Sequence, residues 1–227
     1  NQYDNRIAVV EQDQAAHEAD MAKHKRLVEY FGAVGNANYY NEVDGNWYED
    51  AEFTVLAHDD YEAIQAAIDS LLSPLLVVSG GSVFFAEKGY WCSKPLRIPD
   101  RVTLIGAGRV STKIIRKGHV PSDVKTWNEQ DVDAVIHIVG ADGETAAQSA
   151  YSVGIMDMSL IGAERNLENM TNYGIYMQGM SRSFLENVYI EYINTGVFSH
   201  SYIWDSEIKL VQSNICRTGF RINSSTS

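Results

Sequence analysis

Residues 58–72 read HDDYEAIQAAIDSLL, and five short apolar segments separated by turns follow them. The spacing of Ile64, Ile68 and Leu71 predicts an amphipathic helix with one buried stripe. Asp59, with Glu62 three residues later, fits a capping box at the start of this helix. The segments that follow are bounded by Gly and Pro and rich in β-branched and aromatic residues, which predicts short strands. They are GGSVFF (80–85), GYWC (89–92), PLRIP (95–99), VTLIGAG (102–108) and STKII (111–115).

The order of these motifs, over about residues 58–116, resembles the opening module of pectate-lyase-like right-handed parallel β-helices. The version it resembles is the one common in bacteriophage tailspikes and tail fibres. The resemblance implies a mainly β fold, a right-handed parallel β-helix whose N-terminal end is covered by the helix as a cap. An α/β sandwich is the alternative architecture, but the sequence after residue 72 shows no helical periodicity.

The sequence beyond these motifs carries a repeat of its own. Gly174, Gly196 and Gly219 each precede an apolar or aromatic residue, at intervals of 22 and 23 residues. A period near 20 residues predicts a β-solenoid, in which each coil buries its apolar side on the next. The residues predicted to face inward are Ile155, Met158, Leu160, Ile175, Val188, Ile190, Val197, Ile208, Leu210, Ile215, Phe220 and Ile222.

Polar insertions interrupt the repeat at residues 117–133, 141–151 and 164–169. Insertions in solenoids become surface loops, often on the binding face. The alternative is that these loops are neutral decoration or subunit contacts. The last coil is incomplete, and a solenoid needs a polar cap over its end, so we expect the natural chain to continue past Ser227.

Residues 1–50 differ in composition from the rest of the chain. Residues 7–31 are rich in Ala, Glu, Lys and His and predict a helix, either a short coiled coil or a single helix docked on the next domain. Residues 32–50 predict an ordered connector. The first 50 residues are therefore a helical stem and connector for trimerisation or virion attachment. The capping helix and first coils occupy 51–116, and coils with surface loops occupy 117–227.

The charge balance excludes several classes of function. The chain has 18 basic and 30 acidic residues, a net charge of −12, and such a chain repels phosphate backbones, so no nucleic-acid partner is expected. No apolar run reaches the length of a membrane span, so no membrane insertion is predicted. Cys92 and Cys216 are predicted to be buried free thiols, as expected for assembly in a reducing host cytoplasm. No cofactor and no metal site is predicted.

Glycan-cleaving β-helices commonly use paired carboxylates. Asp157 and Glu186 lie at like offsets in neighbouring coils, and Asp205 and Glu207 stand two apart on a predicted strand, so they are expected to share a face. The candidate catalytic residues are Asp157, Glu186, Asp205 and Glu207, and the candidate glycan-binding aromatic residues are Tyr189, Tyr202 and Trp204. With 30 acids in the chain, a solvated acidic face explains the carboxylates equally well, so no catalytic residue is assigned. The resemblance supplies none, because the matched motifs belong to the structural cap.

The resemblance implies a component of a homotrimeric phage tailspike or tail fibre, located in the virion. Residues 1–50 would contact the phage tail or an adaptor protein, and the β-helix would recognise a host surface polysaccharide. The alternative is a polysaccharide depolymerase, either a glycoside hydrolase or a lyase, with an active site expected outside this segment. A cellular pectate-lyase-like enzyme or epimerase is disfavoured, because the sequence shows no export signal and has a predicted stem.

Overall fold

Most strands of the protein belong to one curled, parallel sheet of 12 strands. The structure, a computed structural model, describes residues 25–72, 80–126, 128–140, 150–166 and 168–223. Within these ranges the only α-helix is α1 (Tyr61–Asp69), and a 3-10 helix spans Val28–Phe31. The prediction of a mainly β fold is therefore confirmed.

The strands are short, except for two that bend around a corner of the fold. In chain order they are β1 (Lys25–Leu27), β2 (Tyr39–Tyr40), β3 (Trp47–Tyr48), β4 (Gly81–Phe84), β5 (Gly89–Cys92), β6 (Leu96–Ile98), β7 (Val102–Ile105), β8 (Lys113–Arg116), β9 (Ala134–Ile138), β10 (Ala150–Tyr151), β11 (Gly154–Ile161), β12 (Thr171–Met177), β13 (Met180–Ser181), β14 (Phe184–Ser199), β15 (Ile203–Trp204), β16 (Glu207–Lys209) and β17 (Gln212–Ile222).

The strands of the large sheet stack in three parallel ladders, and each turn of the chain from β4 onward adds to all three. Ladder A contains β1, β4, β7, the start of β11, the start of β14 and β16. Ladder B contains β5, β8, the end of β11, the middle of β14 and the start of β17. Ladder C contains β6, β9, β12 and the ends of β14 and β17. This repeated return to the same ladders is consistent with a parallel β-helix.

The core lies inside the coils, between the ladders. The predicted inward residues that are fully buried are Ile155, Met158, Leu160, Ile175, Val188, Ile190 and Val197. Those near the C-terminal end, from Ile208 to Ile222, are 36% to 71% exposed. Ile208 and Phe220 pair with the core residues Leu185 and Val197, but no strand in the described part of the chain covers their other side.

The inward prediction is wrong for Leu210 and Ile215. Both residues have φ of 50°, so they stand at bends rather than in extended strand backbone. The register places them beside Asn187 and Tyr192 of the preceding coil, which have the same left-handed conformation and are not core residues. An apolar residue in this conformation is rare, and for that reason the hydrophobic pattern does not reveal the bends.

The helix predicted over residues 7–31 is wrong over its last part, and its residues 7–24 lie outside the described ranges. Lys25–Leu27 forms β1, which pairs in parallel with β4, and the 3-10 helix then ends at Gly32 with φ of 100°. Val28 is fully buried in the core. Pairing at the sheet edge and burial of Val28 therefore outweigh the local helix propensity.

The connector forms an ordered layer on the outer face of ladder B. Strands β2 and β3 make an antiparallel hairpin, and Trp47 of β3 is buried in an apolar cluster with Trp91 of β5, Ile115 of β8 and Ile161 of β11. The strands contribute these residues from the side that faces away from the coil interior. The connector thereby covers one end of the ladder and forms one wall of the groove described below.

Helix α1 packs against β6, β1 and the 3-10 helix, and Ile64 and Ile68 are buried as predicted. The predicted capping box is wrong, because the helix begins one residue later and its N-cap residue, Asp60, makes no side-chain cap. The Asp60 carboxylate accepts hydrogen bonds from the backbone N–H groups of Val34 (2.7 Å) and Gly35 (3.0 Å) in the connector. This tertiary contact takes the place of the local cap.

Candidate functional site

A cavity of about 610 Å³ lies between the β2–β3 hairpin and ladder B. Tyr40 and Tyr192 form part of its wall, and Trp91 contributes from β5 below. The loop after β11, around Arg165, closes the opposite side. This loop belongs to the insertion that the sequence analysis placed at residues 164–169.

Arg165 is held by aromatic rings rather than by a carboxylate. Its guanidinium carbon lies 4.6 Å from the ring centroid of Tyr40, 5.2 Å from that of Trp47 and 5.4 Å from that of Tyr192. The backbone N–H of Arg165 also donates to the Tyr40 hydroxyl at 3.3 Å. Cation–π contacts of this kind fix the position of a cation without neutralising its charge. A second such pair places the Lys117 ammonium 4.4 Å from the Trp91 ring.

Arg165 also lines a second, smaller cavity of about 240 Å³, so the two cavities form one groove. The floor of the smaller cavity comes from one row of ladder B, in which Lys113 of β8 pairs with Ser159, Ser159 with Tyr189, and Tyr189 with Gln212. Alternate residues of a strand face the same side, so the floor also includes Glu191, two residues after Tyr189. The groove thus crosses four consecutive strands.

Hydrogen bonds order the polar groups of this smaller cavity. The Tyr189 hydroxyl donates to Glu191 Oε1 at 3.4 Å and accepts from Asn214 Nδ2 at 2.8 Å, and the same amide donates to Glu191 at 3.2 Å. Burial raises the pKa of Tyr189, so its hydroxyl remains a donor at neutral pH. At the other side, Ser159 Oγ donates to the carbonyl of Arg109 at 2.5 Å, which fixes the loop that carries Arg109.

The groove carries unneutralised positive charge. Among the residues that the structure describes, no carboxylate lies within ion-pair distance of Arg109, Lys113, Lys117 or Arg165. The acidic residues at the rim have partners of their own, as Asp44 shows: its carboxylate accepts from the Tyr48 hydroxyl at 2.5 Å, which lowers the pKa of Asp44. In a chain with a net charge of −12, four such cations in one groove favour a negatively charged ligand.

The structure does not align Asp157 with Glu186 in neighbouring coils. The register pairs Glu186 with Met156, one residue before Asp157, so the predicted like offset is wrong by one position. Asp157 stands at a bend with φ of 57°, and its carboxylate accepts from Asn187 Nδ2 at 2.6 Å. Its role there is to connect two coils.

Asp205 and Glu207 do not lie on one strand, because Asp205 has φ of 48° at the bend between β15 and β16. The two carboxylates do line one open groove of about 650 Å³, together with Arg182. Each has a cation beside it: Arg182 Nε lies 3.6 Å from Asp205, and Lys209 Nζ lies 2.7 Å from Glu207. The hydrogen bond to Glu207 raises the pKa of Lys209. This corner groove therefore consists of paired surface charges.

Of the three aromatic residues predicted to bind glycan, only Tyr189 lies in the groove on ladder B. Tyr202 and Trp204 are 52% and 70% exposed near the corner groove. The sequence analysis missed the four cations. Lys113 does alternate with the buried Ile114, as an outward residue of a strand does, and Arg165 belongs to a predicted surface insertion, so each carried a weak signal.

The remaining predicted features are simple. Cys92 is a buried free thiol, and burial raises its pKa well above the ordinary value, whereas Cys216 is free and half-buried. In the described ranges, no group of three or more His, Cys, Asp and Glu side chains is placed to hold a metal ion. No helix in the same ranges is long and apolar enough to cross a membrane.

The fold has relatives among solved structures. The chain superposes on ORF18 of Geobacillus virus E2 with a TM-score of 0.55 and 19% identity, over 92% of this chain and 42% of that one. It also superposes on the A-module of the mannuronan C-5 epimerase AlgE6 of Azotobacter vinelandii with a TM-score of 0.51 and 19% identity, over 88% of this chain and 53% of that one. The chain thus spans about half the length of each. No protein-family model and no curated protein sequence matches it.

Proposed function

We propose that the groove on ladder B binds a polysaccharide of a bacterial host surface, and that the chain is part of a phage tailspike or tail fibre. The observation that carries the proposal is the groove itself, which crosses four strands and offers aromatic rings, hydrogen-bonding groups and cations in one row. Sugar rings bind by stacking on aromatic faces and by hydrogen bonds to fixed polar groups. The similarity in fold to a phage protein and to a polysaccharide-modifying module supports the proposal.

The proposal includes the finer architecture expected of such a protein. The coils would be right-handed, and α1 would cap the N-terminal end of the stack together with the 3-10 helix. Its packing against β1, the outermost strand of ladder A, supports this role, because a covered edge cannot pair with another chain. The protein would be a homotrimer in the virion, attached to the phage tail or an adaptor protein through residues 1–50.

The test is binding of purified host surface polysaccharide to the full chain, measured by calorimetry. Arg165→Gln should weaken binding about tenfold or more, because charge-assisted hydrogen bonds contribute about 1.5–3 kcal/mol. Arg182→Gln is the matched control, since Arg182 lines the corner groove instead. If only the Arg182 variant loses affinity, the ladder B groove is not the site. An absence of binding by the unmodified chain to any polysaccharide of its host would overturn the proposal.

A second candidate function is a polysaccharide lyase at the same groove. A hydrolase needs two carboxylates, and Glu191 is the only one among the described residues that line the smaller cavity. A lyase needs one base to take the proton next to the sugar carboxylate, with cations to stabilise the developing charge while the glycosidic oxygen departs and a C=C bond forms. Glu191 would be the base, and Lys113 with Arg109 would stabilise the charge.

Incubation of the chain with the polysaccharide distinguishes the two candidates. Shortening of the polymer in gel filtration, with new ultraviolet absorbance from the C=C bond, would establish a lyase, and Glu191→Gln should abolish both signals. Shortening without new absorbance would indicate a hydrolase. Binding without any shortening would leave recognition as the function of this segment.

A further inference from the structure

The smaller cavity of the groove has a charged side and a neutralised side. Arg109, Lys113 and Arg165 approach it from three segments that are far apart in the chain, and none has a carboxylate partner within the described ranges. Tyr189 and Glu191 lie toward the other side, where Asn214 donates to both. The single acid is therefore already hydrogen-bonded, whereas the cations are free to bind an anion.

We infer that this cavity, the cationic subsite, selects an acidic sugar of the polysaccharide, one whose ring carries a carboxylate or a phosphate. The inference rests on the proposed function. The anionic substituent would lie between Lys113, Arg109 and Arg165, and hydroxyl groups of the same sugar would face Tyr189, Glu191 and Gln212. The guanidinium groups suit this role because their planar forks match the oxygens of carboxylates and phosphates.

The distances along ladder B fit one sugar residue and its neighbour. Lys113 and Tyr189 stand in the same row two strands apart, which is about 10 Å at the usual spacing of paired strands. A single ring with one substituent can therefore contact the cations at one end and approach the Tyr189 hydroxyl at the other. The larger cavity beyond Arg165, with Tyr40 and Tyr192 in its wall, would take the next sugar.

A neutral sugar would gain little at this position. It would remove water from three cations without supplying a counter-charge, and polar groups that lose water without a partner cost binding energy. An extended polyphosphate such as a nucleic acid is also disfavoured, because the rest of the chain, with its net charge of −12, would repel it. An acidic sugar within a polymer of lower charge density meets both conditions.

Calorimetry with matched polysaccharides tests the inference on the full chain. The probes are a set of bacterial surface polysaccharides that includes neutral, carboxylated and phosphorylated members, with each carboxylated polymer also supplied in carboxyl-reduced form. We expect carboxyl reduction or dephosphorylation to weaken binding about tenfold or more, the loss expected for a charge-assisted contact. The variant Lys113→Gln should weaken binding of the acidic polymer by a similar factor, and Lys113→Arg should restore it. Lys125→Gln is the control, because Lys125 is an exposed residue paired with Asp131 on the surface.

The outcomes separate the inference from the proposed function. If the chain binds neutral or carboxyl-reduced polymers as tightly as acidic ones, and Lys113→Gln changes nothing, the inference is wrong and the polysaccharide-binding function stands. If no member of the set binds, both are overturned. Preference for the carboxylated or the phosphorylated member identifies the anion. Thermal melting of each variant confirms that a loss of affinity does not come from unfolding.

Discussion

Asp60 is a fully buried carboxylate that ties two distant parts of the chain together. It accepts backbone hydrogen bonds from Val34 and Gly35, and His58 Nδ1 lies 2.8 Å from its Oδ1. Gly35 has φ of 65°, and a Cβ there would lie 2.8 Å from side-chain atoms of Lys88 and Tyr90, so a side chain would be both strained and crowded. A conformation that only Gly adopts easily thus brings the connector to the carboxylate.

The variant Asp60→Ala should lower the free energy of unfolding by about 2–4 kcal/mol. Two buried N–H groups would lose their acceptor, and each unsatisfied group costs about 1–3 kcal/mol. Urea unfolding followed by circular dichroism measures the change. Asp131→Ala is the control, because the Asp131 side chain is 65% exposed and its pairing with Lys125 is a surface contact of little energetic value. Equal stability of the two variants would mean that Asp60 does not hold the connector.

His137 is a second buried ionisable group whose environment determines its charge. It lies in β9, 1% exposed, with Nδ1 at 2.9 Å from Ser122 Oγ and its ring against Tyr176. Burial, with a smaller contribution from the positive charge of Arg97, lowers the pKa of His137 to about 4. The folded protein therefore keeps this imidazole neutral where an unfolded chain would protonate it.

The stability of the protein should fall as the pH falls from about 6.5 to about 4. The folded pKa is depressed below the unfolded value of about 6.5, so the contribution is fully present above pH 6.5 and is lost as the pH approaches 4. The loss attributable to this group is about 3 kcal/mol by pH 4. Urea unfolding of the unmodified protein and of His137→Gln at several pH values isolates it, because other groups titrate in both. Identical pH slopes would show that His137 is not buried neutral.

At the scale of elements, bends at the same register position recur from coil to coil. Arg101, Ser152, Arg182 and Asp205 have φ of 61°, 57°, 49° and 48°, and each stands where the chain enters ladder A. Left-handed backbone at non-Gly residues is uncommon, and its repetition shows that the coil geometry imposes it. The corners are therefore set by stacking rather than by the preference of the residue at the bend.

Gly196 should be intolerant of substitution, whereas Gly219 should not. A Cβ at Gly196 would lie 2.6 Å from the backbone oxygen of Gly219, so the two coils would have to separate. A Cβ at Gly219 would meet only Ser213, at 3.7 Å, an ordinary contact. We expect Gly196→Ala to lower the free energy of unfolding by about 2–3 kcal/mol, as overpacking does, and Gly219→Ala to leave it within about 0.5 kcal/mol. Urea unfolding of both variants checks this, and equal losses would contradict the stacking.

These elements show what the sequence can and cannot predict. The intervals of 22 and 23 residues between Gly174, Gly196 and Gly219 correctly predicted positions that stack in one row. Outward residues such as Tyr189 followed from simple alternation with buried neighbours. The cations of the groove did not, because bringing Lys113 beside Tyr189 requires the coil register, and the insertions change the length of the early coils. Thr103 pairs with Gly154 across a long insertion, whereas Phe184 pairs with Glu207 across a short turn.

At the scale of the whole molecule, the described part of the connector belongs to the β-helix rather than to a separate stem. Val28 and Ala33 are buried in the main core, and Trp47 is buried in the cluster on the outer face of ladder B. The same layer forms the wall of the groove, so it links the N-terminal region to the binding surface. Any contact between subunits that is separable from the fold would therefore have to come from residues before β1.

Deletion of residues 1–24 tests the proposed homotrimer without removing the core. We expect the full chain to sediment as a trimer, and the shortened chain to be monomeric with an unchanged circular dichroism spectrum, because Val28, Ala33 and Trp47 remain. Deletion of residues 1–50 is the contrasting variant, and it should unfold the protein, since it removes β1 and these buried side chains. Analytical ultracentrifugation gives the oligomeric state of each. A monomeric full chain would rule out the trimer, and a trimer that survives the shorter deletion would place the subunit contacts on the β-helix.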